Sequence, residues 1–234
     1  MAVPHQTGRA RSGELSIHYR KLGTPGDTPI LIVHGLSYFS YDWLGVAHSL
    51  GAGREVVAMD MRGFGDSDWS PSHDYGVPAM AEDIVSVLDH LRWTRALLVG
   101  HSMGGRSAAC AAARHPHRVA GLVLVDYSPE NAPTGARRTT ELVGNQPDAF
   151  ASIEAAMRYF GKGDRERFAA YLKKTDSGAS FLVWMSASGI LRRFQVIPLS
   201  RYLMLTPSPG SDWMGPCSSW PSPTSSVSML PSIR

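Results

Sequence analysis

Four stretches of this chain are short and almost unbroken in their hydrophobicity: Pro29 to Val33, Glu55 to Met59, Ala96 to Val99 and Val119 to Val125. Runs of this length without alternation suit strands buried on both faces, and they predict strands near 30–34, 55–60, 96–100 and 119–125. Between them the spacing changes to that of helices. Trp43, Val46, Ala47 and Leu50 fall on one helical face, and Met80, Ile84, Val87, Leu88 and Leu91 on another, with Pro78 at a first helical position. Strands alternating with helices predict an α/β fold, a mostly parallel sheet with helices on both faces. The earlier segment Glu14 to Lys21 alternates, which predicts an antiparallel edge hairpin with the residues before it. No internal repeat is present.

The run Ala96 to Val99 leads into Gly100-His101-Ser102-Met103-Gly104-Gly105 and then into small residues, Ala108, Ala109, Ala111, Ala112 and Ala113, before Pro116 ends the segment. A sharp turn from strand to helix pushes a serine hydroxyl out above a sheet, and only glycine lets neighbouring backbone crowd that turn without a Cβ clash. Gly100 and Gly104 stand at the two crowded positions, which makes Ser102 the candidate nucleophile. Two further loops follow predicted strands. Val33 runs directly into His34-Gly35-Leu36, and Met59 into Asp60-Met61-Arg62-Gly63-Phe64-Gly65-Asp66-Ser67.

These three motifs, in this order and spacing, resemble the α/β-hydrolase superfamily. The likeness is to its esterase-like branch, with an H-G oxyanion loop, a D-x-R-G-x-G-x-S loop and a G-H-S-M-G-G elbow, and it covers roughly Glu14 to Gly163. The resemblance implies an α/β-hydrolase fold and a serine hydrolase that cleaves a carboxylic ester, lactone or related activated carbonyl. It implies a small-molecule substrate, no cofactor and no metal. Ser102 would attack, and the backbone N–H groups of Leu36 and Met103 would receive the developing oxyanion, a stabilisation typically worth ~3 to 4 kcal/mol per donor. Gly35 shapes that loop, and the side chain of His34 is read as a strand-end histidine bonded to loop backbone. Epoxide hydrolases and dehalogenases of the superfamily favour a carboxylate nucleophile, so Ser102 counts against them. After the strand Val119 to Val125 the family inserts a helical lid. Pro147 to Phe160 and Arg165 to Lys174 have that character, with Phe150, Ile153 and Met157 on one face and Phe168, Tyr171 and Leu172 on another.

In this family the triad runs serine, acid, histidine, and the histidine takes the serine proton and returns it to the leaving group. All nine histidines here lie at or before His117. His115 and His117 sit at the far end of the elbow helix, about 20 Å from Ser102 at 1.5 Å per residue. His101 lies on the strand, where successive side chains point oppositely, and is expected to pack. That leaves His73, in the loop after the second parallel strand, as the histidine with a route to the pocket. Asp126, at the end of Val119 to Val125, is the candidate acid, and a hydrogen-bonding role in the turn it opens is the alternative. The late pair of strands that completes such hydrolases, the first followed by an acid and the second by a histidine, is not found. The late strands are missing or replaced, leaving Val119 to Val125 as a hydrophobic sheet edge. Two readings therefore stand beside the hydrolase: a catalytically dead binding protein of the same fold, and a truncated or frameshifted product.

Composition bounds the rest. Residues 1–176 carry nineteen basic and nineteen acidic side chains, and the net charge of +3 comes from the tail, so no basic stripe points to nucleic acid. No run of about eighteen apolar residues is present to span a membrane. Met1 to Gly13 is short, polar and free of an apolar segment, which argues against a signal peptide, and Cys110 and Cys217 form no disulfide framework. Together these predict a cytoplasmic protein with Cys110 as a small buried hydrophobe. Met204 to Arg234 holds nine serines and six prolines with one acidic residue, a composition that cannot build a packed core and is expected to be mobile. The expected boundaries are an N-terminal extension over 1–13, a core over 14–130, a lid insertion over 131–176 and an atypical Ser/Pro-rich tail over 177–234. Oligomeric state is not legible.

Overall fold

The computed structural model describes residues 3–36, 38–127, 147, 149–161, 165–174 and 181–183. The expectation of a mobile tail over Met204 to Arg234 lies outside them. Strands β1 (Gln6–Ser12) and β2 (Leu15–Gly23) form an antiparallel hairpin that turns at Gly13, whose φ of 58° suits glycine. The residues ahead of Glu14 thus supply the edge strand that the alternation after it calls for. Strands β3 (Ile30–Val33), β4 (Glu55–Met59), β5 (Ala96–His101) and β6 (Val119–Val125) are mutually parallel. The sheet order is β1-β2-β4-β3-β5-β6.

Side chains alternate across this sheet, and each face has its own core. On one face Leu31, Val33, Val57, Met59 and Leu98 pack against α2 (Val77–His90) and α3 (Met103–Arg114). On the other, Ile30, Ile32, Val56, Ala58 and Val99 pack against α1 (Leu44–Leu50). Helix α2 buries Met80, Ile84, Val87 and Leu88, as its spacing predicts. Helix α1 departs from prediction: Leu44 and Ala47 face inward, while Val46 and Leu50 are exposed. A 3-10 turn over Ser40–Trp43 precedes α1 and changes the rotation at which the helix begins. Cys110 is buried in α3 but is disulfide-bonded, so the expectation of an unbridged buried thiol does not hold.

Beyond β6 lie β7 (Ala149–Phe150), α4 (Ile153–Phe160), α5 (Arg165–Tyr171), β8 (Leu172–Lys174) and β9 (Phe181–Val183). The strands form a small antiparallel sheet in the order β7-β9-β8. Phe150 therefore sits on a strand rather than on the helical face predicted for it. Helix α4 starts at Ser152, whose Oγ accepts the Ala155 N–H at 3.1 Å, and stops at Gly161 with φ 66°. Phe150, Ile153, Ala156, Phe168 and Leu172 close on Phe39, so this segment is packed onto the loop after β3. Among the described residues no helix is long and apolar enough to cross a membrane.

Candidate active site

Ser102 occupies the single residue between β5 and α3, with φ 49° and ψ −113°. A non-glycine residue there costs on the order of 1 to 3 kcal/mol, and it persists only where the surroundings over-determine it. They do so here. The Ser102 N–H donates to Val125 O at 3.0 Å, and its carbonyl accepts from Gly105 N–H at 3.0 Å and Arg106 N–H at 3.3 Å. A Cβ on Gly100 would stand 2.6 Å from Gly105 Cα, and one on Gly104 would stand 2.3 Å from His34 O and 2.4 Å from Val33 O. The end of β3 therefore crosses directly over the first turn of α3, as the two glycines require. The Ser102 side chain is half-buried and makes no hydrogen bond among the described residues.

The side chains of Leu36 and Met103 both pack against the core that holds α2 and α3. Met103 is the first residue of α3, so its N–H has no acceptor within the helix. Among the described residues the Leu36 N–H is not donated either. Gly35 is pressed against His101, and a Cβ on Gly35 would stand 2.5 Å from the His101 Nδ1.

His34 locks this loop. Its Nδ1–H donates to Gly35 O at 2.8 Å, and its Nε2 accepts the Met61 N–H at 3.0 Å, which fixes a neutral tautomer. It is 1% exposed, and burial, outweighing the pull of Asp60, pushes its pKa below the ordinary 6.5. The unfolded chain binds this proton near pH 6.5 while the folded one refuses it until lower pH. The contribution of His34 to stability is thus full above 6.5 and is lost as pH falls. The urea midpoint of the wild type should decline between pH 7 and 5, and His34→Gln should lose part of that slope. Parallel slopes would show that His34 carries no such linkage.

The loop after β4 is bound into one buried charge cluster. Asp60 is fully buried, and its carboxylate accepts from the His18 ring at 2.8 Å, the Ser40 N–H at 2.6 Å and the Asp66 N–H at 3.0 Å. Burial alone would raise its pKa, but the His18 hydrogen bond leads the groups that hold it below 3.8. Arg20 lies 3.6 Å from the same carboxylate, bonds Ser40 Oγ and stacks over Phe39 and Tyr41. His18, Asp60 and Asp66 present ligand atoms within 4.8 Å of one another, yet Arg20 already supplies the positive charge there. Arg62 clamps Asp83 of α2 at 2.6 and 2.8 Å and donates to Asp74 O and Ala79 O. Sequence reading singled out this loop but gave its side chains no role, because their partners His18 and Asp83 are far away along the chain.

The candidate acid and base are not brought together. His73 is exposed, has φ 55°, and its side chain forms no hydrogen bond among the described residues. Asp126, with φ 47°, has an 89% exposed side chain whose described partner is His101, Nε2 to Oδ2 at 3.9 Å. The His101 ring packs against Tyr38 and Trp43, and burial, opposed by Asp126, pushes its pKa down. From the carboxyl-terminal segment, Arg167 forks onto Asp42 and Tyr41 OH donates to Glu166 at 3.3 Å.

A family model described as the alpha/beta hydrolase fold matches residues 28–174. Epoxide hydrolase 4 of Mus musculus is 31% identical over 121 residues, which cover 51% of this chain and 33% of that protein. The esterase YbfF of Escherichia coli K12 is 39% identical over 104 residues, 44% of this chain and 40% of that one. The chain thus spans only about a third to two fifths of the length of these curated relatives. Among solved structures, E-2-(acetamidomethylene)succinate hydrolase superimposes with a TM-score of 0.71 at 25% identity, covering 81% of this chain and 72% of that one.

Proposed function

This chain belongs to the α/β-hydrolase family, and from that premise we propose that it is a serine hydrolase for a carboxylic ester, lactone or related activated carbonyl. The observation that carries the reading is the strained backbone of Ser102, presented between β5 and α3 under the crossing loop that holds Leu36. In the proposed reaction the Ser102 hydroxyl adds to the carbonyl carbon. The oxygen, as it becomes negative, is received by the N–H groups of Leu36 and Met103, reinforced by the positive end of α3. Gly100 and Gly104 allow the close approach, while His34 and Gly35 hold the loop. The helical segment through α4 and α5 would act as a lid, since Phe39 and the Asp42–Arg167 pair tie it to the residues just after Leu36. Ser102 also separates the proposal from epoxide opening, for which the superfamily favours a carboxylate nucleophile.

Among the described residues no group is hydrogen-bonded to the Ser102 hydroxyl to take its proton. The His73 side chain makes no hydrogen bond among the described residues, and no histidine follows His117 in this sequence. Loss of the histidine from a serine triad has cost roughly a millionfold in turnover. Hydrolysis of p-nitrophenyl acetate should therefore run barely faster than in Ser102→Ala. A slowly accumulating acetyl group should map by mass spectrometry to the Ser102 peptide and be absent from that variant. An acetyl group elsewhere would remove Ser102 as the nucleophile. A rate thousands of times above Ser102→Ala would reveal a recruited base, and His73→Ala and His101→Ala would identify it.

A further inference from the structure

The two edges of the large sheet are built differently. Edge strand β1 exposes Arg9 and Arg11 along its length, and such charges discourage pairing with another strand. Edge strand β6 reads Val-Ala-Gly-Leu-Val-Leu-Val, with no charge, and it exposes Val123 at 50% and Leu124 at 40%. These two side chains point to opposite faces, so both faces of the edge are open. Among the described residues β6 pairs only with β5, leaving its outer row of backbone groups without a strand partner. The register shift opposite Ala96 and Leu97 falls at Ala120, and the regular part of β6 is Gly121 to Val125.

We propose that this edge is a self-docking surface on which two copies pair Gly121–Val125 antiparallel about a two-fold axis at Val123, joining their two sheets into one. A second copy fits because the strand is self-complementary. Antiparallel pairing centred there sets Val123 against Val123 and Leu124 against Leu122, apolar on apolar, with no like charges opposed. Arg118 stands at the start of the strand and Asp126 at its end. Antiparallel pairing brings the acidic end of each copy toward the basic end of the other, whereas parallel pairing would set like ends together. Asp126 has the exposure this needs, while Arg118 keeps its 2.7 Å contact to Asp89 and contributes through its field.

Sedimentation velocity of the full chain over a wide concentration range tests this. The wild type should pass from monomer to dimer, and Val123→Lys should abolish the dimer by facing two ammonium groups across the axis. Val46→Lys, at an exposed position on α1, should leave the dimer intact. Hydrogen exchange on the unaltered protein gives an independent reading: the Gly121 to Val125 amides should become protected as concentration rises. A wild type that stays monomeric, a Val123→Lys dimer as tight as the wild type, or protection independent of concentration, as when the chain covers its own edge, would each overturn the proposal.

Discussion

Asp60→Ala is expected to destabilise the protein by about 3 to 5 kcal/mol, a large share of the roughly 5 to 15 kcal/mol that a domain possesses. The carboxylate is the shared acceptor for the His18 ring and for the Ser40 and Asp66 N–H groups, and it is the counter-charge for Arg20. His18, Arg20 and Ser40 are buried with it, and truncating Asp60 leaves the His18 ring and the Ser40 N–H desolvated without this acceptor and Arg20 with only Ser40 Oγ and the half-exposed Asp66. Arg20 is the most costly, because its Nε already has no hydrogen-bond partner and its guanidinium would lose the nearest compensating charge. The loss should reach the segment that holds α4 and α5, since Arg20 lies over the rings of Phe39 and Tyr41 and Phe39 is part of the core closed by those helices. Urea unfolding measures the change, and proteolysis within 149–174 should quicken in parallel. The wild type carries the same dependence in its acid limb. Because the folded pKa of Asp60 lies below 3.8, its contribution is present above that value and is lost as pH falls through the folded pKa. A change under 1 kcal/mol would mean that water reaches the cluster.

Gly104→Ala should be as damaging through sterics alone. The new Cβ would sit 2.3 Å from His34 O and 2.4 Å from Val33 O, and ordinary contact begins at 3.4 Å, so β3 or α3 must retreat by about 1 Å. Neither obstacle is a side chain that can rotate away. Overpacking a core costs about 1 to 3 kcal/mol, and a backbone obstacle belongs at or above the top of that range. The same retreat would move the loop after β3 away from the start of α3, so under the proposed role of the Leu36 and Met103 N–H groups acetylation of Ser102 should fall along with stability. Gly45→Ala is the matched control: nothing lies within 4 Å of its Cβ position, and alanine in a helix is favoured over glycine by up to about 1 kcal/mol. Equal unfolding midpoints for the two variants would refute the crossing of β3 over α3.

The partition between sequence and tertiary structure follows the reach of each interaction. Strands β3 to β6 and the inward face of α2 were legible because burial on one or both faces imposes a local period, and a period is visible within one element. The turn at Ser102 was legible for a related reason: backbone crowding at Gly100 and Gly104 excludes a Cβ, and glycine records that exclusion wherever it stands. Helix α1 marks the limit of periodicity. Val46 and Leu50 share the spacing of a buried face, yet the turn over Ser40–Trp43 presents Leu44 and Ala47 to the sheet instead. Only the tertiary structure decided that Asp60 would gather His18, Arg20 and Ser40, that Arg62 would grip Asp83, that Phe39 would join a core with Phe150 and Phe168, and that Asp126 would approach His101 rather than His73. Those partners belong to different elements, often far apart along the chain. Their meeting depends on how strands cross, twist and register, which the local order of residues around any one of them does not record.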